Sequence, residues 1–190
     1  AFFGSARINP EGPLSQYYEE ARILAGKVTQ WSDSLPHHNR RFVVSTGGGP
    51  GIMEAANRGA SEARGVNVGL TISLPMEEFD NPYITHGMAF HFHYFFMRKF
   101  WFYYLAKAVI VMPGGYGTLD ELFELLTLVQ THKMRKPLPI VLFGTDYWKR
   151  LVNFNVLVEE GAISPEDLKL FQYVDDPQVA WDAIRTFYQL

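Results

Sequence analysis

An unbroken apolar run, Ala108-Val109-Ile110-Val111-Met112, leads directly into Pro113-Gly114-Gly115-Tyr116-Gly117. A strand with no polar alternate positions has no face to give to water, so it must be covered on both sides, as in parallel sheets flanked by helices. The same pattern recurs. Phe42-Val43-Val44-Ser45 is followed by Gly47-Gly48-Gly49-Pro50-Gly51, and residues 1–3 end in Gly4-Ser5. Further strands are expected over residues 66–74 and 139–143. Between the strands the apolar period switches to that of helices. Residues 13–30 place Leu14, Tyr17, Tyr18, Ala21, Leu24, Ala25 and Val28 on one broad face. Helices are likewise expected over residues 52–63, 90–106, 118–132, 146–160 and 177–188. Strand and helix alternate throughout. The expected fold is α/β, a doubly wound Rossmann-like parallel sheet with helices on both faces, in one domain over residues 1–190. The chain opens partway through a strand without an initiator Met, so residues upstream of Ala1 are expected in the full gene product. Three strands end in glycines, and these turns should lie along one edge of the sheet, where ligands of such folds bind.

Composition narrows the function. A hydrophobic share of 47% is that of a globular chain. The formal net charge is −3, which argues against a broad basic footprint for nucleic acid. Cysteine is absent, so disulfides, thiolate zinc sites and iron–sulfur clusters are excluded and a cytoplasmic location is expected. No stretch reaches the length of a membrane span.

Glycine between strand and helix lets backbone N–H groups approach an anion, and the helix N-terminus adds partial positive charge. Both long glycine loops fit that description, which places Gly48, Gly49, Gly114, Gly115, Tyr116 and Gly117 among candidate phosphate contacts, with Ser5 on the third turn. Neither loop is a Walker motif, because no Lys-Ser or Lys-Thr follows. Neither is a dinucleotide fingerprint, because Ile52 and Asp120 stand where the last glycine belongs. The second loop opens a helix carrying Thr118, Asp120 and Glu121. Upstream, Arg98 and Lys99 interrupt an aromatic segment, His91-Phe92-His93-Tyr94-Phe95-Phe96-Met97-Arg98-Lys99-Phe100-Trp101-Phe102-Tyr103-Tyr104. Acidic partners are lacking nearby in sequence, which favours a ligand role for both cations.

At this point the chain resembles a known family. Met97-Arg98-Lys99 followed by Pro113-Gly114-Gly115-Tyr116-Gly117-Thr118-Leu119-Asp120-Glu121 looks like the signature of the LONELY GUY (LOG) family, nucleoside 5′-monophosphate phosphoribohydrolases often mislabelled lysine decarboxylases. The likeness extends over Gly4-Ser5-Ala6-Arg7, residues 45–60, Leu74-Pro75 and Asn81-Pro82-Tyr83, and its longer form is similar to the type II branch. The resemblance implies Arg98 and Glu121 as the catalytic pair, and phosphate binding by Gly114, Gly115, Gly117 and Thr118. It also implies substrate contacts by Glu77 (or Glu78, one place on) and by Thr127. Asp120 replaces the Glu of plant members and keeps the charge. No cofactor and no metal are implied.

The residues agree with that chemistry. Breaking an N-glycosidic bond builds positive charge on the ribose, which a carboxylate such as Glu121 can stabilise, or it can activate water. Arg98 can pin a phosphate or ribose oxygen through two hydrogen bonds. Decarboxylation would need a Schiff-base lysine for pyridoxal phosphate, and Lys99 is the only lysine near the predicted site. His91 and His93 do not share a helix face, and His37-His38 lies in a polar loop, so metal binding is disfavoured. Met53 and Met97 read as packing residues. The alternatives are a nucleotide or molybdenum-cofactor carrier without hydrolase activity, and a single-strand DNA binder, which the acidic charge opposes. The expected partner is a small-molecule nucleotide, with no nucleic acid and no membrane. A homo-oligomer, at least a dimer, is expected through the aromatic helix at residues 90–106, because one sheet face covers only one side of it.

Overall fold

The computed structural model describes residues 1–36, 42–72 and 81–189. Among the described residues seven strands and seven α-helices follow one another, alternating except where β4 follows β3 and α6 follows α5: β1 (Phe2–Phe3), α1 (Ser15–Ser34), β2 (Val44–Thr46), α2 (Ile52–Glu62), β3 (Asn67–Ile72), β4 (Ala89–Phe92), α3 (Phe95–Leu105), β5 (Val109–Val111), α4 (Tyr116–Gln130), β6 (Ile140–Phe143), α5 (Thr145–Leu151), α6 (Phe154–Glu159), β7 (Gln172–Val174) and α7 (Pro177–Tyr188). Every pairing between them is parallel. One ladder has the order β1-β5-β6-β7 and the other β2-β3-β4.

The central strands β1, β5 and β6 bury both faces, as their unbroken apolar runs require, whereas β4 at the far edge has no buried residue. Ala108, Ile110 and Met112 pack with Phe2 against the layer formed by α1, α2 and α7. Val109 and Val111 point the other way, with Phe3, toward Leu122 and Leu125 of α4. Along β6, Val141 and Phe143 join the first layer while Ile140 and Leu142 join the second. This alternation is the period-2 geometry of a strand with helices on both sides. The α/β parallel architecture is the one the sequence pattern predicts.

Three expectations need correction. Residues 90–106 are not one helix. Residues 89–92 pair with β3 in the register Leu70↔Phe90 and Ile72↔Phe92, and helix begins only at Phe95. Aromatic residues suit a strand as well as a helix, and an unpaired β3 edge is a strong claim on them. The helix expected over residues 146–160 is two helices. Val152 is extended, and the Asn153 side chain caps α6 by accepting a hydrogen bond from the Asn155 N–H at 3.2 Å. Finally, β7 and a 3-10 turn at Pro165–Leu170 were not expected. Glu77, Glu78 and the His37-His38 loop lie outside the described residues. Among the described residues no helix is long and apolar enough to cross a membrane.

Candidate active site

Three strands deliver their C-terminal turns to one place. A cleft of 620 Å³ opens beyond β1, β2 and β5, and Ser5, Gly47, Gly114 and Thr118 all line it. The turns are tied together by backbone. The Ser5 N–H donates to the Pro113 carbonyl at 3.0 Å, and the Ile52 N–H donates to the Ser5 carbonyl at 3.0 Å. This is the sheet-edge site that the parallel topology places beyond the strand ends.

The loop after β5 supplies the open side. Gly114 is buried, while Gly115, Tyr116 and Gly117 are exposed at the start of α4. Gly114 cannot carry a side chain, because its Cβ would run into Thr118 Oγ1. No atom stands within 4 Å of where a Cβ would sit on Gly115 or Gly117. The first N–H groups of α4 have no intrahelical acceptors, so they and the helix dipole present positive potential to the cleft. Tyr147, which sequence reasoning missed, anchors the loop from α5 by donating its hydroxyl proton to the Gly114 carbonyl at 2.8 Å.

Arg98 and Glu121, far apart in sequence, meet here. Arg98 Nη2 stands 3.4 Å from Glu121 Oε1, and both side chains are largely withdrawn from water. The guanidinium lies 5.3 Å from the Phe95 ring centroid, and Gly47, whose missing Cβ would run into the Met53 sulfur, borders it. Its Nε is buried with no hydrogen-bond partner among the described residues. Glu121 is 5% exposed. Burial pushes its carboxyl above the usual carboxylate range, against the opposing pull of a Tyr103 hydrogen bond and of the Arg98 and Lys99 charges. A carboxyl so placed holds its proton more tightly than a solvated one, which suits it to proton transfer.

The other candidates are distributed differently. Lys99 does not line the cleft. It is 8% exposed, and its ammonium lies 2.6 Å from both Asp120 Oδ2 and Glu124 Oε2. The acidic partners that the local sequence lacks come from α4, across the helix packing. Burial alone would lower the Lys99 pKa, and the two carboxylates more than offset that, so it stands above its ordinary value. Asp120 is therefore committed to Lys99 on the outer side of α4. Thr127 is also exposed there, and its hydroxyl donates to the Phe123 carbonyl of its own helix at 2.7 Å. Gly48 and Gly49 are buried behind Gly47. The Gly48 N–H donates to Thr46 Oγ1, and Asn81 donates to both glycine carbonyls. Arg7, Met53 and Phe95 line the cleft without having been singled out as site residues. Only the Gly4-Ser5-Ala6-Arg7 turn gave any signal for them.

The sequence model of a family described as "possible lysine decarboxylase" matches residues 53–184. Over 60 residues the chain is 43% identical to the cytokinin riboside 5′-monophosphate phosphoribohydrolase LOG7 of Arabidopsis thaliana. Over 82 residues it is 34% identical to a probable enzyme of the same name, LOGL3, of Oryza sativa subsp. japonica. The chain belongs to the LOG family. The matched segments cover 32% and 43% of this chain, but only 28% and 39% of those relatives' lengths. Among solved structures, the molybdenum cofactor binding protein of Rippkaea orientalis superposes with a TM-score of 0.64 at 19% identity, over 98% of this chain and 93% of that one. The molybdenum cofactor carrier protein of Chlamydomonas reinhardtii gives 0.62 at 16%, over 100% and 96%. At such identities the likeness concerns the fold alone.

Proposed function

We propose that this LOG-family chain is a phosphoribohydrolase. It cleaves the N-glycosidic bond of a purine ribonucleoside 5′-monophosphate, AMP or an N6-modified cytokinin form, to free base and ribose 5-phosphate. The observation that carries this reading is the meeting of Arg98 and Glu121 at the floor of a cleft bounded by the open glycine turn. The phosphate sits on the N–H groups of Gly115, Tyr116 and Gly117, with the Thr118 hydroxyl beside them. Arg98 offers its unpaired Nε and a terminal nitrogen to phosphate or ribose oxygens. Glu121 then lies against the ribose, where it stabilises the positive charge that grows as the C1′–N bond breaks. It takes the proton of the water that adds at C1′, and the base leaves with the bonding electron pair. Lys99, held by two carboxylates outside the cleft, is not offered as a Schiff-base lysine.

The active form is proposed to be a homodimer. Phe96 and Tyr104 of α3 each remain 65% exposed, and Phe90, Tyr94, Phe95 and Phe100 extend the apolar patch. A second copy of the helix is the simplest cover for such a surface. Arg98 lies on this helix, so assembly and catalysis are linked.

Incubation with a panel of nucleoside monophosphates, with free base and ribose 5-phosphate measured, tests the reading. AMP should be hydrolysed far faster than adenosine, because phosphate binding supplies orientation at the reacting bond. Glu121→Gln should lower kcat roughly 100-fold while KM stays within a few fold. Equal turnover of adenosine and AMP would overturn the reading, and tight nucleotide binding without base release would favour a carrier. Light scattering on the same samples should show a dimer. A fully active monomer of 21.7 kDa would remove α3 from the interface.

A further inference from the structure

Tyr103 is 4% exposed and sits in the apolar layer between α3 and the sheet. Its hydroxyl donates toward Glu121 Oε2 at 2.7 Å and lies 3.1 Å from the Glu121 carbonyl oxygen. A phenol has one proton, and the shorter, charge-assisted contact takes it. Among the described residues the other carboxylate oxygen, Oε1, has only the long 3.4 Å hydrogen-bond contact to Arg98. The tight anchor on the carboxylate is thus a neutral phenol behind the cleft, while Arg98, held to Oε1 only at 3.4 Å, keeps its Nε without a partner among the described residues.

We propose that Tyr103 is the positioning residue for Glu121, holding Oε2 so that Oε1 is the oxygen presented to the reacting sugar. The proposal rests on the hydrolase reading above and adds to it the group that fixes the carboxylate's orientation. The charged and titratable groups around Glu121 are Arg98, Lys99 and Tyr103 from α3 and Asp120 and Glu124 from α4. Phe3 and Gly4, which line the same cleft, bring none. Of these groups Tyr103 is the one with no charge to share with a phosphate or another carboxylate. Its hydrogen bond favours the ionised form of Glu121 and partly offsets the burial that opposes it.

The test is Tyr103→Phe, which deletes one oxygen and keeps the ring. Carboxyl carbon NMR follows the Glu121 titration without any turnover, with the resonance assigned by its loss in Glu121→Gln. The expected result is a rise of about one unit in the Glu121 pKa, with kcat about tenfold lower, KM little changed, and the acid limb of the kcat/KM profile moved by the same amount. Tyr147→Phe removes a comparable phenol that donates to Gly114 and should leave the Glu121 titration in place. If Tyr103→Phe does not fold, a difluorotyrosine at position 103 keeps the ring and sharpens the donor, and the Glu121 pKa should then fall. An unmoved Glu121 titration in folded protein overturns the proposal. A moved titration in a protein inert toward every nucleotide keeps Tyr103's hold on Glu121 and overturns the hydrolase reading instead.

Discussion

Two loops of this chain read alike as sequence and behave unlike as structure. Each follows a buried strand, opens a helix and is rich in glycine. Beyond Gly47, the loop at residues 48–51 is turned inward. Gly48, Gly49 and Gly51 are buried, the Gly48 N–H is taken by Thr46, and both carbonyls are taken by Asn81. In the loop at residues 114–117, only Gly114 is packed; Gly115, Tyr116 and Gly117 are exposed, with open space where a Cβ would sit on Gly115 or Gly117. Glycine serves close approach of protein to protein in the first case and close approach of a ligand in the second. What separates them lies outside both loops. Asn81 and the Ser5 turn close the first, whereas the second has Tyr147 behind it and only the cleft in front.

The largest effect should come from packing a side chain into the closed loop. Gly51 has φ +70°, and its Cβ would meet the Ser5 carbonyl and Ala6 backbone, which have no room to retreat. Gly51→Ala should cost about 3 kcal/mol of stability in urea denaturation. Thr46→Val should cost less, about 2 kcal/mol, because it strips a buried acceptor from the Gly48 N–H and a donor from Asn57 at 2.6 Å. In both variants the KM for AMP, measured on folded protein, should stay within about twofold of wild type. A tenfold KM change with an unmoved denaturation midpoint would mean that the closed loop touches substrate, and the contrast would collapse.

The same divide governs how much was legible in the sequence. Parallel layering and the convergence of three glycine turns follow from local patterns, so they could be read, whereas the strand order β1-β5-β6-β7 and β2-β3-β4 comes from the structure alone. Arg98 and Glu121 could be singled out because their motif is specific and their chemistry is complementary, and the structure brings the two side chains within 3.4 Å. Lys99 shows where sequence stops. It has the same charge as its neighbour and no nearby acid, yet one residue along a helix turns a side chain by about 100°, toward Asp120 and Glu124 instead of the cleft. Tyr103 and Tyr147 were invisible for a related reason. A tyrosine in an aromatic run carries no sign of whether its hydroxyl is wet or holds a carboxylate. β4 was lost because strand and helix both accept Phe and His, and only the partner edge of β3 decides between them.

The smallest effect, and the most discriminating, belongs to the open loop. Gly117 lies in the first turn of α4 with nothing within 4 Å of a Cβ position and no positive φ. The folded chain therefore has space for Gly117→Ala, and alanine is the better helix former, by up to about 1 kcal/mol in a helix interior and less at its first turn. Thermal stability should stay level or rise slightly. The added methyl, however, stands where the proposed phosphate approaches the N–H groups, so KM for AMP should rise about tenfold while kcat changes little, the pattern of lost ground-state binding. Stability and affinity then move in opposite senses at one position, which a merely structural glycine does not allow. A variant with wild-type KM would show that the phosphate does not rest on this turn. A variant that lost stability instead would show that the loop is closed in solution by something that occupies the space beside Gly117.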